Sequence, residues 1–459
     1  MRAGQKLDRE RRPPPGPAPR IQLPVFRRFR LSNGVQVLTI RHDNLPEVSA
    51  RLVLLNGATS DPGGRSGAAL MVARALTEGT TERSAGDVAA ALDHLGARFS
   101  LDVNHDSTVL SLDFLSRVQD AAFDLLAEIV TQPAFEAKEI GRLKEERLDE
   151  IASGMDEPRV VASLRWNEVN FGKHPYGMRT GGVEDTVRAI DSDVLRDYHS
   201  SYYRPGSATL ILVGDLPGAA ELQARLERVF GGWQGDSTPA DALDDPQPAT
   251  TRRLWAIPWD GPQSELRIGG IGISRLDPDY PAVIVMNAIL GGLFSSRINM
   301  NLREDKGWTY GASSRFDARK LRGPYYTGTA VDARASASAV REILGEMERM
   351  KTEPPSAEEL ELAINALTLS LPRLFETVGQ VSGRVAQQVI YGLPDDHWER
   401  FTELVRAVTR SDVERVAERL LDVERAAIVI VGPVRDFKAE LEALGAVELR
   451  DIYGRALEG

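Results

Sequence analysis

Apolar and polar residues alternate along GVQVLTI (residues 34–40), the period-two pattern of a strand with one buried face. Further on the period lengthens. AGDVAAALDHLG (85–96) predicts a helix that Ser84 caps, with Asp87 in its first turn and Gly96 as its stop. VQDAAFDLLAEIV (118–130) and EIGRLKEERLDEI (139–151) carry helical apolar stripes. In PPSAEELELAINAL (354–367), Ser356 and Glu359 form a capping box behind a proline break.

Two stretches repeat one pattern. SATLILVGDLPGAAELQARLERVFG (207–231) and RAAIVIVGPVRDFKAELEALG (425–445) both read as an apolar strand, a Val-Gly turn and a helix. Their turns, Val213-Gly214 and Val431-Gly432, lie 218 positions apart, about half the chain. Strands and helices interleave without a strict β-α-β rhythm. The expected fold is therefore α+β: two homologous domains, each a mainly antiparallel sheet with helices packed on it. The expected boundaries are an arm at 1–22, a first domain at 23–235, a linker at 236–251 and a second domain at 252–459. The proline-rich, charged composition of the arm predicts disorder, and the linker is rich in Pro, Asp, Ala and Thr.

Composition narrows the function. At 459 residues the chain exceeds one ordinary core. A formal charge of −11 with no dominant basic tract argues against nucleic acid as a partner. Arg27, Arg28 and Arg30 read as solvated charges at the start of a strand. The absence of cysteine removes disulfides, thiolate zinc sites and cysteine nucleophiles. No uninterrupted run of 18 apolar residues exists, so no membrane insertion is expected. The N-terminus as written lacks the apolar region of a signal peptide, which predicts a cytoplasmic protein, or a periplasmic one should the start lie upstream.

Self-sufficient catalytic chemistry is hard to find. The histidines, His42, His94, His105, His174, His199 and His397, include no pair spaced i, i+4. His94 reads as a last-turn residue of its helix and His174 as part of a turn. There is no GxSxG elbow and no P-loop. What stands out is NMNLREDKGWTYGASS (299–314), where Arg303 and Tyr310 lie seven residues apart around Gly307. The residues alone permit two readings. Arg303 caps helix carbonyls and Tyr310 is a half-buried strand residue, or the two long polar-tipped side chains serve a ligand.

A resemblance bears on that choice. SGAALMVARALTEGT (66–80) resembles the helix that carries the inverted zinc motif HxxEH in the pitrilysin/insulinase family of metallopeptidases. Laid on that motif, the two histidine positions hold Leu70 and Arg74, and the position of the catalytic glutamate holds Ala73. The family's third ligand, a glutamate on a later helix, would fall in RLDEI, at or beside Asp149 and Glu150. The resemblance extends from about Phe26 to Leu444 through HPYGMRTGG, YYRPGSATLILVGDL and ILGGLFSSRINMNLREDKGWTYGASS. In this family the second domain supplies an arginine and a tyrosine at the spacing of Arg303 and Tyr310.

The resemblance implies half of a clamshell: two homologous domains that close, with a second such pair, on an extended peptide. It also implies a division of labour, in which one subunit keeps the zinc motif and the other keeps the arginine-tyrosine pair. This chain is similar to the second kind. The expectation is a non-zinc subunit with no cofactor of its own, inactive alone. Its partner would be a homologous HxxEH-bearing subunit holding zinc, and its substrates peptides or unfolded proteins. Arg303 would fix the peptide backbone and Tyr310 would stabilise the oxyanion. The alternative is a catalytically inactive structural or assembly subunit of a larger complex.

Overall fold

The apolar runs of the repeated unit become the central strands of two sheets. In the computed structural model, which describes residues 26–236 and 242–457, each sheet has six strands. The predicted arm lies outside the described residues.

The first sheet contains β1 (Arg27–Arg30), β2 (Gln36–Arg41), β3 (Glu47–Leu54), β4 (Arg98–Val103), β5 (Thr108–Leu115) and β6 (Ala208–Gly214) in the order β1-β2-β6-β3-β5-β4. The second contains β7 (Arg253–Pro258), β8 (Gln263–Ile271), β9 (Ala312–Phe316), β10 (Pro324–Asp332), β11 (Ala427–Gly432) and β12 (Val447–Leu449) in the order β12-β7-β11-β8-β10-β9. Pairing is mainly antiparallel, with parallel β2–β6, β7–β11 and β7–β12. The α+β expectation holds, and the two Val-Gly turns end the equivalent strands β6 and β11. The repeat breaks only at one edge, where β1 runs antiparallel to its neighbour and β12 parallel.

Why β6 and β11 are apolar throughout follows from what covers them. Along β6, Leu210 and Leu212 enter the main core of the first half, whereas Ile211 and Val213 face the opposite side. Along β11, Ile428 and Ile430 point one way, and Ala427, Val429 and Val431 the other. A strand buried on both faces needs no polar alternation.

The helices of the first half include α1 (Ala68–Ala75), α2 (Ala85–Leu95), α3 (Gln119–Thr131), α4 (Ala137–Met155) and α5 (Pro158–Phe171). Ser84 caps α2 in a capping box with Asp87, and Gly96 ends it, as the sequence predicts. Ser356 and Glu359 do the same for the helix Ala357–Leu369.

The second face of each sheet is covered by a helix from the other half. Val161, Ala162, Trp166 and Val169 of α5 pack on Ile257, Ala427, Val429 and Val431 of the second sheet. Reciprocally, Val378, Val381, Val385, Ala386 and Ile390 of the helix Val378–Tyr391 pack on the first sheet. Polar contacts repeat the exchange. Arg51 on β3 donates through Nε to Ser382 at 2.7 Å and through Nη2 to the Gly379 carbonyl at 2.9 Å. Its counterpart Arg267 on β8 donates through Nε to Ser163 at 3.2 Å. The two halves are thus interlocked, because each leaves one apolar sheet face that only the other can cover.

Loops reinforce the junction. The Tyr176 hydroxyl donates to Asp106 at 2.5 Å and accepts from the Leu321 amide, while the Lys320 amide donates to Asp106. The described part of the expected linker is tied to both halves: Asp244 meets His174 through its carbonyl, and Asp245 accepts from the Arg322 amide. The strand-start arginines Arg27, Arg28 and Arg30 are exposed, as expected, and Arg28 forms a surface pair with Asp395 across the halves.

One stretch departs from the membrane expectation. Tyr280–Asp305 is apolar enough by length and composition to cross a membrane, although asparagines, glycines and serines interrupt it as an apolar run. A break at 293–296 divides it, and 56% of its most apolar window is buried inside the chain. It is core.

Candidate functional site

Two places were singled out by sequence, and they lie on different halves of the fold. The first is α1. Its i, i+4 spacing puts Leu70 and Arg74 on one half-exposed face, while Ala73 is fully buried in the main core. Asp61 caps the start of this helix, accepting from the Gly67 and Ala69 amides at 2.6 and 2.7 Å.

Arg74 does not point into solvent. Its Nη1 donates to Glu150 on α4 at 2.8 Å. Arg147, one turn earlier on α4, donates to the other oxygen of Glu150 at 2.6 Å and to the Gly181 carbonyl through Nε at 2.7 Å. Burial works against ionisation of Glu150, but hydrogen bonds from Arg74 and Arg147 outweigh it and hold its carboxyl below the usual range.

This geometry does not fit a zinc ion. The two histidine positions offer an aliphatic side chain and a cation, and the remaining carboxylate is engaged by two guanidiniums. Among the described residues no three His, Asp or Glu side chains gather as a possible metal site. Sequence named Asp149 and Glu150 together and left the carboxylate there as a solvated charge, whereas Glu150 pairs with Arg74 and Arg147. That Arg74 would reach across to it could not be read from spacing within one helix.

The second place is the segment around Arg303. The helix Tyr280–Asn287 runs into a π-turn at Ala288–Gly292, then a short turn, Arg297–Asn299, leads into a second π-turn, Met300–Asp305. Such widened turns recur at functional sites because they shift side chains out of helical register. Buried Ile298 and Leu302 anchor the segment. Arg303 is left half-exposed, its guanidinium 4.6 Å from the centre of the Phe294 ring and 3.3 Å from Glu304. Gly307, at φ +66°, stops the turn as predicted, and its amide donates to the Arg303 carbonyl.

Beyond Gly307 the structure corrects the sequence. WTYGAS does not continue as a strand, because the Trp308 amide is bonded back to Leu302 and β9 begins only at Ala312. Tyr310 occupies the bend between them. Its side chain is 90% exposed, and no hydrogen bond of its hydroxyl exists among the described residues. Of the two readings, the half-buried strand residue does not hold for Tyr310, and the Arg303 guanidinium makes no bond to a helix carbonyl among the described residues.

Two residues that sequence reasoning missed hold this site together. Buried Asn299 donates to the Phe294 carbonyl at 2.6 Å and accepts from the Ala312 amide at 3.1 Å, so one side chain ties both flanking loops. Phe294, 63% exposed, supports the Arg303 guanidinium by a cation–π contact worth about 0.5–1 kcal/mol at an exposed site. The Asn at 299 sits inside the quoted motif, and its polar type in an apolar helical stretch is the signal that was available. Chemically, the site presents a phenol and a guanidinium outward.

Comparison with known proteins finds one family along most of the chain. Residues 36–180 match the family described as Insulinase (Peptidase family M16), and residues 189–367 match the Peptidase M16 inactive domain. An uncharacterized zinc protease of Bacillus subtilis is 23% identical over 417 residues, covering 89% of this chain and 98% of the relative. One of Mycobacterium tuberculosis is 25% identical over 428 residues, covering 92% and 96%. Among solved structures, a peptidase M16 inactive domain from Pseudomonas fluorescens superposes with a TM-score of 0.84 at 28% identity, covering 89% of this chain and 98% of that one. A protease from Helicobacter pylori shares the fold, with a TM-score of 0.82 at 18% identity over 89% of this chain and all of that one.

Proposed function

Since the chain belongs to the insulinase peptidase family, M16, we propose that it is the non-zinc subunit of a heterodimeric zinc metallopeptidase acting on peptides or unfolded proteins. One observation carries the reading. The helix at the zinc-motif position carries an Arg74–Glu150 ion pair, while Arg303 and Tyr310 stay outward, the Tyr310 hydroxyl having no hydrogen bond among the described residues.

In this reading the homologous HxxEH-bearing partner holds the zinc, which activates water and polarises the scissile carbonyl. This chain contributes hydrogen-bond donors. Tyr310 gives its hydroxyl proton in a hydrogen bond to the carbonyl oxygen as negative charge builds on it, an interaction stronger in the transition state than in the ground state. Arg303 offers fixed N–H donors to substrate backbone carbonyls and sets register. Phe294 and Asn299 hold both in place. The exposure of Tyr310 supports this role, since a group that works on another molecule must be left unpaired by its own.

A purely structural subunit would have the same emptied zinc helix and no use for the outward pair. Cleavage of a fluorogenic peptide by this chain, by an HxxEH-bearing homologue and by their mixture separates the two. The expected result is cleavage by the mixture and none by this chain alone. A mixture that assembles and does no more than the homologue alone would favour the scaffold.

A further inference from the structure

The face of α4 that meets Arg74 carries more positive charge than its ion pairs use. Arg147, Glu150 and Gly154 lie at i, i+3 and i+7, on one side of the helix. Glu150 takes the bond from Arg74, and Arg147 shares the same carboxylate. At the third there is no side chain, and the guanidinium of Arg179 fills the space: a Cβ at Gly154 would lie 3.4 Å from its Nη2.

Arg179 is half-buried, and its guanidinium has no hydrogen bond or ion pair among the described residues. Burial and the charge of Arg147 press its pKa downward, against the pull of Glu150. Arg165 adds to that pressure but is spent on Glu168 at 2.6 Å. Arg74 and Arg147 thus meet the Glu150 carboxylate directly, and Arg179 lies over Gly154, one turn along the same face. Arg147 is only 7% exposed and its Nε and Nη1 are both committed, whereas Arg74 gives one nitrogen to Glu150 and Arg179 gives none. Three like charges sharing one counter-charge at a half-buried place are costly, and an external anion relieves that cost.

We propose that the emptied zinc site of this subunit is a carboxylate-binding subsite, in which Arg179 and Arg74 receive a carboxylate of the bound peptide. Leu70, half-exposed one turn before Arg74, gives the subsite an apolar flank suited to a side-chain stem or a chain terminus. A carboxylate suits the donors, since guanidiniums take it in paired N–H bonds. The peptide as its source rests on the reading that this chain lines a peptide chamber. The partner's metal would then grip the scissile bond, and the rebuilt site would grip a charged group elsewhere on the same substrate.

Three labelled decapeptides of one sequence test this by fluorescence anisotropy with the full chain. One has a central Glu and a C-terminal amide, one a central Gln and the amide, and one a central Gln and a free C-terminal carboxylate. At least one of the two anionic peptides is expected to bind about tenfold tighter than the neutral one, and which one identifies the side chain or the terminus as the source. Arg179→Gln should abolish that advantage. Its guanidinium supports no fold contact by hydrogen bonding, so the variant should fold, and an unchanged melting temperature checks it. As a second measurement, 0.5 M salt should remove most of the advantage in the unaltered chain, because the Debye length falls to about 4 Å. Equal affinity for the three peptides, or an advantage undiminished in Arg179→Gln, overturns the subsite. The peptidase-subunit reading is judged separately: cleavage by the mixture can persist when the peptides bind equally, and can fail when the carboxylate preference is intact.

Discussion

Tyr310→Phe is expected to lower turnover of the proposed pair about 100-fold, the effect of removing a single oxyanion donor. The substitution takes away one hydroxyl and leaves the ring. Because Tyr310 is 90% exposed and its hydroxyl has no hydrogen bond among the described residues, the substitution should leave folding unchanged. The loss should therefore fall on turnover with KM nearly unchanged, since an interaction made only in the transition state does not help the substrate bind. Arg303→Ala should show the other signature, a raised KM, because a backbone clamp acts on bound substrate and transition state alike. Steady-state kinetics of the two variants, with size-exclusion chromatography as the check on assembly, separates the roles. Full activity in Tyr310→Phe would remove the tyrosine from the chemistry.

The second large effect is on stability. Trp166→Ala is expected to cost about 3–5 kcal/mol, the range for truncating a buried large aromatic. Trp166 is 2% exposed on α5, tilts against Tyr326 at a ring separation of 5.3 Å, and donates through Nε1 to the Ala427 carbonyl at 3.0 Å. Those partners are on β10 and β11, in the other half of the chain. The substitution opens a cavity where the halves interlock and strips a donor from a buried carbonyl. Leu276→Ala, at an exposed position, should change stability by no more than about 0.5 kcal/mol. Denaturant unfolding of both variants measures the contrast. A loss below about 1 kcal/mol at Trp166 would mean that the exchanged helix contributes little to holding the halves together.

What the sequence could say about this fold depended on how local each signal was. The caps of α2 at Ser84 and of the helix after Ser356 are legible because donor and acceptor lie three residues apart. The duplication was legible because β6 and β11 keep the same strand and turn. The helix exchange was not. The apolar stripe of α5 announces a buried face, yet nothing in a stripe names the sheet it covers, and here that sheet belongs to the other half. The same limit applied to the site. The loss of HxxEH was visible as three residue identities, but the pairing of Arg74 with Glu150 joins positions 76 residues apart. Around Tyr310 the failure was one of backbone. The left-handed turn at Gly307 and the bond from Trp308 back to Leu302 delay β9 and leave the tyrosine in the open.

The claim on which the rest depends is that this chain has given up its own metal and works on one held by another. Zinc content of the purified chain, dialysed against buffered micromolar zinc and measured by elemental mass spectrometry, tests it most directly. The account predicts far less than one zinc per chain, because Leu70 and Arg74 offer no ligands and Glu150 is held by two arginines. One zinc per chain, lost when Glu150 is replaced by alanine, would contradict it.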